Sequence, residues 1–171
     1  MAVAVLLAVT TALGAPTAAS SVPGDLDPTF DGGIAITHPG GDSPGGDAGL
    51  IGEVLVAPDG KVLVAGNAAS VEVGGPSWAG VARYRPDGSL DGSFGRGGFA
   101  PELGAASALA LQGDGKIVTA GQPFLVARLL ADGTLDRSFA GTGYAAPGVG
   151  SGDGADVVIQ PDGKIVVAGS V

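Results

Sequence analysis

Carboxylates dominate the ionisable groups of this 171-residue sequence, with 17 Asp and Glu against 8 Lys and Arg and 1 His. Several stand close enough to work together: Asp25, Asp27 and Asp31; Asp87 and Asp91; Asp132 and Asp136; Asp153 and Asp156. Clustered carboxylates serve as general acid and base, or as oxygen ligands for a hard cation such as calcium. Asp25, Asp27 and Asp31 are the candidate calcium ligands, and no other cofactor is expected. None of these groups sits in a calcium loop of about twelve residues closed by a Glu. Eight of the fourteen Asp residues directly precede Gly, which is turn chemistry: Asp bonds its own backbone and Gly supplies positive φ. Most of the acidity is therefore read as turn-making. The net charge of −9, without a basic stripe, excludes nucleic acid as a partner.

Nucleophiles fare no better. Gly41-Asp42-Ser43-Pro44-Gly45-Gly46 resembles the nucleophile segment of trypsin-like proteases, but Pro44 replaces a Gly and the single His, His38, lies five residues upstream of Ser43. This stretch reads as an insertion loop. Gly75-Pro76-Ser77-Trp78-Ala79 lacks the strand-turn-helix setting of a nucleophile elbow. Gly141-x-Gly143-x-x-Ala146 runs into Pro147 where a dinucleotide site needs a helix, so it reads as a bend. One His and no Cys give no zinc site. No catalytic residue is assigned. Residues outside the repeated pattern, Trp78, His38 and Arg96, are the candidate ligand contacts.

The elements that must position these groups repeat. Glu53–Gly66, Leu109–Gly121 and Val157–Gly169 are three copies of one pattern: an apolar run, an Asp-Gly-Lys turn, and a β-branched run ending in Ala-Gly. Each is a β-hairpin, with apolar residues on both sides of the strand as in stacked sheets. A second pattern links Arg83–Phe94 to Arg128–Phe139, with a partial copy at Gly24–Phe30 and a Gly-rich bend after each. Arg83 with Asp91, and Arg128 with Asp136, recur as a charge pair expected to bridge strands as scaffold. Two hairpins in roughly fifty residues give four short strands per unit, the arithmetic of a propeller blade. The expected fold is all-β: repeated four-stranded antiparallel units, a partial β-propeller with about two to three blades present. Gly 33 and Pro 12 punctuate the apolar runs, and 45% hydrophobic content argues for a packed core.

Leu-Asp-x-x-Phe, Gln-Pro-Asp-Gly-Lys-Ile-Val-Val-Ala-Gly and Ala-Arg-Tyr-x-Pro-Asp-Gly-Ser-Leu-Asp together resemble the delta-60 repeat. The resemblance covers nearly all of Gly24–Val171, and departs from it at Gly113 and in the insertions His38–Gly49 and Ala68–Ser77. It implies a bacterial, exported, propeller-like scaffold without known catalytic residues.

Residues 1–21 carry no charge, and Ala2–Leu13 is apolar apart from two Thr, too short to span a bilayer. With a small-x-small site at Thr17-Ala18-Ala19, this predicts a secretory signal peptide followed by residues 22–171 as repeats, with no later membrane span. The last hairpin stops before its partner pattern, so the chain is expected to be truncated at its C-terminus, with further repeats of the same chain to follow. The expected function is a secreted or cell-surface, non-catalytic repeat scaffold or binding module for a protein or carbohydrate ligand. The alternative is a hydrolase or lyase whose active site lies in the central funnel of the complete propeller.

Overall fold

The computed structural model describes residues 3–6, 26–37, 47–70, 77–101, 105–146, 148 and 152–171. Twelve strands are present among them and no α-helix: β1 Val3–Leu6, β2 Ile34–Thr37, β3 Asp47–Val56, β4 Val62–Ser70, β5 Ser77–Tyr84, β6 Phe99–Pro101, β7 Ala105–Leu111, β8 Ile117–Gln122, β9 Leu125–Leu129, β10 Tyr144–Ala145, β11 Asp153–Ile159 and β12 Ile165–Ser170. They form two four-stranded antiparallel sheets, β3-β4-β5-β6 and β7-β8-β9-β10, and two pairs, β1-β2 and β11-β12. The four-stranded repeating unit is thus observed twice, in sequence order. β11 and β12 take the first two places of a third unit. β2 follows a Gly bend as β6 and β10 do, so it takes a fourth place, and β1 pairs with it where a third strand belongs. β1 lies inside the stretch read as a signal peptide; the proposed cleavage site lies outside the described residues.

The hairpins form because their turns are chemically prepared. In residues 57–61 the Gly60 N–H bonds the Ala57 carbonyl at 2.9 Å, with Pro58 and Asp59 between, and Gly60 at φ 80°. That is a type I turn with Pro at its second position and Gly closing it. Residues 85–88 close the same way, and Gln112–Gly115, Leu130–Gly133 and Gln160–Gly163 repeat the bond at 2.8–2.9 Å. Because the strands alternate in direction, both turns of a unit lie at one end. The Thr37, Asp47, Ser70 and Ser77 strand ends lie at the other.

Adjacent residues on one strand serve different neighbours, which is why the strands are apolar on both faces. On β4, Val62 and Val64 pack with Phe30, Ala35, Ala82 and Tyr84, while Leu63 and Ala65 pack with Phe94, Leu109, Ile117 and Leu129 across the boundary to the second unit. On β8, Ile117 faces the first unit, and Val118 and Ala120 face Val157 of the third hairpin. Each interface is an apolar core between stacked sheets. Small residues allow the approach: a Cβ on Gly52 would stand 2.4 Å from the Ser107 carbonyl oxygen on the next unit's first strand.

Candidate functional site

Each complete unit carries one polar knot at its Asp-Gly end. Arg83 stands on β5; the chain turns and returns so that the Asp91 N–H bonds the Arg83 carbonyl at 2.8 Å. The Asp91 carboxylate is buried. Its Oδ2 accepts from Arg83 Nε at 2.9 Å, and its Oδ1 accepts from the Ser93 N–H at 3.2 Å and the Ser93 hydroxyl at 2.6 Å. The guanidinium lies 4.4 Å from the centroid of the buried Phe94 ring. The second unit repeats this: Arg128 Nε to Asp136 at 2.8 Å, the Ser138 N–H and hydroxyl at 3.1 and 2.5 Å, and Phe139 at 4.7 Å. A buried carboxylate survives only if paired and hydrogen-bonded, and here both demands are met within one unit. The Ser93 hydroxyl, more than Arg83, holds the Asp91 carboxyl below the usual carboxylate range, against burial. Ser138 leads in the same way at Asp136.

The knots also bridge units. Arg83 Nη1 donates to the Ala131 carbonyl at 2.6 Å, and the Gly95 N–H donates to the Asp132 carbonyl at 2.7 Å. One step earlier, the Asp31 N–H donates to the Asp87 carbonyl at 2.8 Å. The receiving turns need glycine: at Gly133 (φ 85°) a Cβ would lie 2.7 Å from the Phe94 ring, and at Gly88 (φ 85°) 2.8 Å from Asp31. On the first strands, a bulge falls between Ala106 and Ala108, and the neighbouring Leu109 N–H turns to the previous unit, where Glu53 Oε2 accepts it. Val157, in the equivalent place, uses Asp156 Oδ1 instead, at 2.8 Å.

Between the first and second units, at the Asp-Gly end, a cleft of about 640 Å³ remains. Its floor is Leu63, Leu111 and Ile117; Lys61, Asp59 and Asp132 stand at its rim, with Arg83 and Ser93 on one wall. Lys61 is ion-paired with Asp59. Lys61, first by its ammonium and then by its N–H, lowers the Asp59 carboxyl, and Thr134 does the same to Asp132 through hydroxyl and N–H.

The residues singled out from sequence are spread over the molecule. Asp25 and His38 lie outside the described residues. Asp27 Oδ1 accepts from the Thr29 N–H and hydroxyl at 2.9 and 2.6 Å, a local turn, and Asp31 contributes its backbone N–H to the unit contact. Among the described residues, no three His, Asp or Glu side chains gather as metal ligands. Trp78 is the second residue of β5, paired with Ala68, at the end opposite the Asp-Gly turns. Arg96 is exposed at the Asp-Gly end, in the bend before β6. Trp78 and Arg96 therefore do not form one site. Ser77 opens a strand and the Gly141–Gly143 bend leads into β10, so neither imitated motif has its helix; the segment around Ser43 lies outside the described residues. The expected Arg–Asp pairs are present. Glu53 was not singled out as a site residue, although a Glu where the second copy has Ala108 was a visible signal.

Compared with known families, residues 57–94, 112–139 and 160–171 match the β-propeller domain of unknown function DUF5122. The three segments begin in the first hairpin turns and cover both knots. No curated protein matches, and neither does any solved structure. Among the described residues, no helix is long and apolar enough to cross a membrane.

Proposed function

We propose that this chain, a stack of β-propeller-like units, is an exported, non-catalytic scaffold of the delta-60 type that holds a segment of a protein ligand in the clefts between its units. The observation that carries this reading is the commitment of polar groups. At the Asp-Gly end, Asp59, Asp87, Asp91, Asp114, Asp132, Asp136 and Asp162 each accept hydrogen bonds from the residue two positions on, through the same geometry in every copy. A carboxylate lowered by such bonds is a poor general base near neutral pH, where a pKa close to the working pH is favoured. The repeated chemistry supports the fold and leaves recognition to the clefts. An aliphatic floor with both charge signs at the rim suits an aliphatic side chain flanked by polar groups. Among the described residues that line it there is no aromatic ring of the kind on which a sugar face stacks.

The reading is tested by selecting displayed peptides on the purified protein and remeasuring the best binder on Lys61→Glu. The expected result is at least tenfold weaker binding, with no turnover of ester or glycoside substrates. Turnover that persists through purification, or binding indifferent to Lys61→Glu, overturns it. Export is checked separately: N-terminal sequencing of protein recovered outside the expressing cell is expected to begin near Ser20.

A further inference from the structure

Eight Asp-Gly pairs stand in this chain. In such a pair the main chain can attack its own side chain, because glycine has no Cβ to hinder its nitrogen as it swings toward the preceding carboxyl. The attack needs a free N–H, an uncommitted carboxyl and room for a ring.

The fold withholds these conditions at most of the pairs. In the turns at Asp59, Asp87, Asp114, Asp132 and Asp162, the N–H of the following Gly donates to the carbonyl three positions back, at 2.8–2.9 Å. Each carboxylate is held on the N–H two positions on, at 2.9–3.2 Å, away from that nitrogen. Bonds from the side chain and then the N–H at that position keep these carboxyls below the usual carboxylate range, ionised and without a hydroxyl to lose. Asp91 is buried against Arg83 and Ser93. Asp153 accepts from Gln122 Nε2 at 2.7 Å, and Gly154 is buried in the β11–β12 pair.

Asp31 and Gly32 are the exception. Both are exposed, and among the described residues nothing bonds the Asp31 carboxylate or the Gly32 N–H; it is the Gly33 N–H that closes onto the Phe30 carbonyl, at 2.7 Å. A Cβ on Gly32 would meet nothing within 4 Å, so the space for a ring is present. Asp31 itself stands at φ 45°, a conformation few L residues adopt, with its N–H on the Asp87 carbonyl at 2.8 Å. Gly95 and Ala140 hold the equivalent place in the next two copies and carry no carboxyl.

We infer that Asp31 is a site of self-modification, at which the Gly32 nitrogen closes on Asp31 Cγ and the residue passes through a cyclic imide to isoaspartate. A C–N bond forms, and the carboxyl hydroxyl leaves with the amide hydrogen as water. The imide then takes up one water. Opening at Cγ restores Asp31; opening at the main-chain carbonyl leaves the chain running through Cβ and Cγ, one carbon longer, with the former carbonyl as a free carboxylate. That carbon enters between Phe30 and Ala35, both 2% exposed in one core with Val62, Val64 and Tyr84. The modified chain cannot keep both seats and the Asp31–Asp87 bond, so the reaction loosens this junction and spares the one at Gly95.

The full chain is kept folded, warm and at neutral pH, then digested and mapped by electron-transfer fragmentation, which separates isoaspartyl from aspartyl residues. Isoaspartate is expected at Asp31 at least tenfold above any other Asp-Gly pair, and the excess should vanish in urea, where every pair is free. Asp31→Glu, whose longer side chain would have to close a larger ring, should abolish the product. Asp31→Asn should react faster by the same closure, with ammonia leaving in place of water. Exchange of the residue-31 amide should quicken in the aged protein while that of Gly95 holds. An even spread of isoaspartate over the folded chain, or the same pattern folded and unfolded, overturns the inference; so does isoaspartate at Asp31 with its amide exchange unchanged.

Discussion

Arg83 and Arg128 make the same bonds inside their own units, but among the described residues only Arg83 reaches into the next, so their replacement measures that contact. Arg→Met keeps the apolar stem over the Phe ring and removes the fork. At Arg83 the change leaves Asp91, 2% exposed, with the Ser93 hydroxyl and the more distant Arg85 guanidinium, 3.8 Å away, as its remaining side-chain partners. Breaking a buried pair costs about 3–5 kcal/mol. Arg83 is 14% exposed, and solvent screening lowers this to about 2–3 kcal/mol. The lost bond to the Ala131 carbonyl, 2.6 Å long, adds about 1–2 kcal/mol, around the bottom of the range of about 1.5–3 kcal/mol for bonds to charged groups because its surroundings are exposed. Arg83→Met should therefore cost about 3–5 kcal/mol, and Arg128→Met should cost less by about 1–2 kcal/mol. In urea, with a slope of about 2 kcal/mol per molar, the two midpoints should differ by about 0.5–1 M. Exchange of the Gly95 amide should quicken in Arg83→Met and hold in Arg128→Met. Equal midpoints and equal exchange would refute the claim that the arginine ties one unit to the next.

Gly133→Ala should cost about 2–4 kcal/mol, because φ 85° is unfavourable for Ala and its Cβ would stand 2.7 Å from Phe94. Gly163→Ala, at φ 82° with nothing within 4 Å, should cost only the backbone term of about 1–2 kcal/mol, and thermal melts of the pair separate the two causes. Glu53→Ala strands the Leu109 N–H and should cost about 1–3 kcal/mol, with Glu53→Gln restoring most of the loss in the same denaturation assay. The turn carboxylates Asp59, Asp87, Asp91 and Asp132 are lowered in the folded state by hydrogen bonds. Their stabilisation is present above the unfolded pKa of about 3.9 and is lost as pH falls through the folded values. Circular dichroism should show a flat signal from neutral pH down to about pH 4 and cooperative unfolding below it; unfolding centred near pH 6 would contradict this.

The architecture was legible because its determinants are local. Asp-Gly-Lys closes a hairpin by bonds spanning a few residues, and Val62-Leu63-Val64 reads as two-sided because one strand lines two interfaces. The Arg–Asp pairs were legible from recurrence alone. What the sequence concealed depends on the fit of one unit to the next. Nothing in the letters of Ala140 announces φ 48°, and the Ala131 carbonyl is acceptor to Arg83 by position, not by residue type. Glu53 was visible as a departure between copies, but its role was hidden for the same reason: its partner is a main-chain N–H on another unit, beside a bulge. The candidate ligand residues were chosen for being unrepeated, a criterion that carries no distance. Trp78 and Arg96 consequently fall at opposite ends of the strands.

The direction of the contacts bears on how such a chain holds together. At the Asp-Gly end of both junctions the donors, Arg83 and the Asp31 and Gly95 amides, belong to the earlier unit, and the acceptors, Asp87, Ala131 and Asp132, belong to the later one; only at the bulge does the later unit donate, from the Leu109 N–H to Glu53. A unit therefore completes the polar knot of its predecessor while presenting its own knot to its successor. Stability in such an array is a sum of unit terms and nearest-neighbour terms. The second unit has its acceptors engaged by the first, and among the described residues no acceptor meets its Arg128 Nη1. The third hairpin covers Val157, 3% exposed, against the second unit and leaves Val158 51% exposed on its outer face. Loss of structure on heating should accordingly begin at β11 and β12 and move toward the first unit, and amide exchange resolved by strand would reveal that order. Fraying that starts instead within β3–β6 would mean that the knots, with their burial and their stacked arginines, matter less than the strand ladders between them.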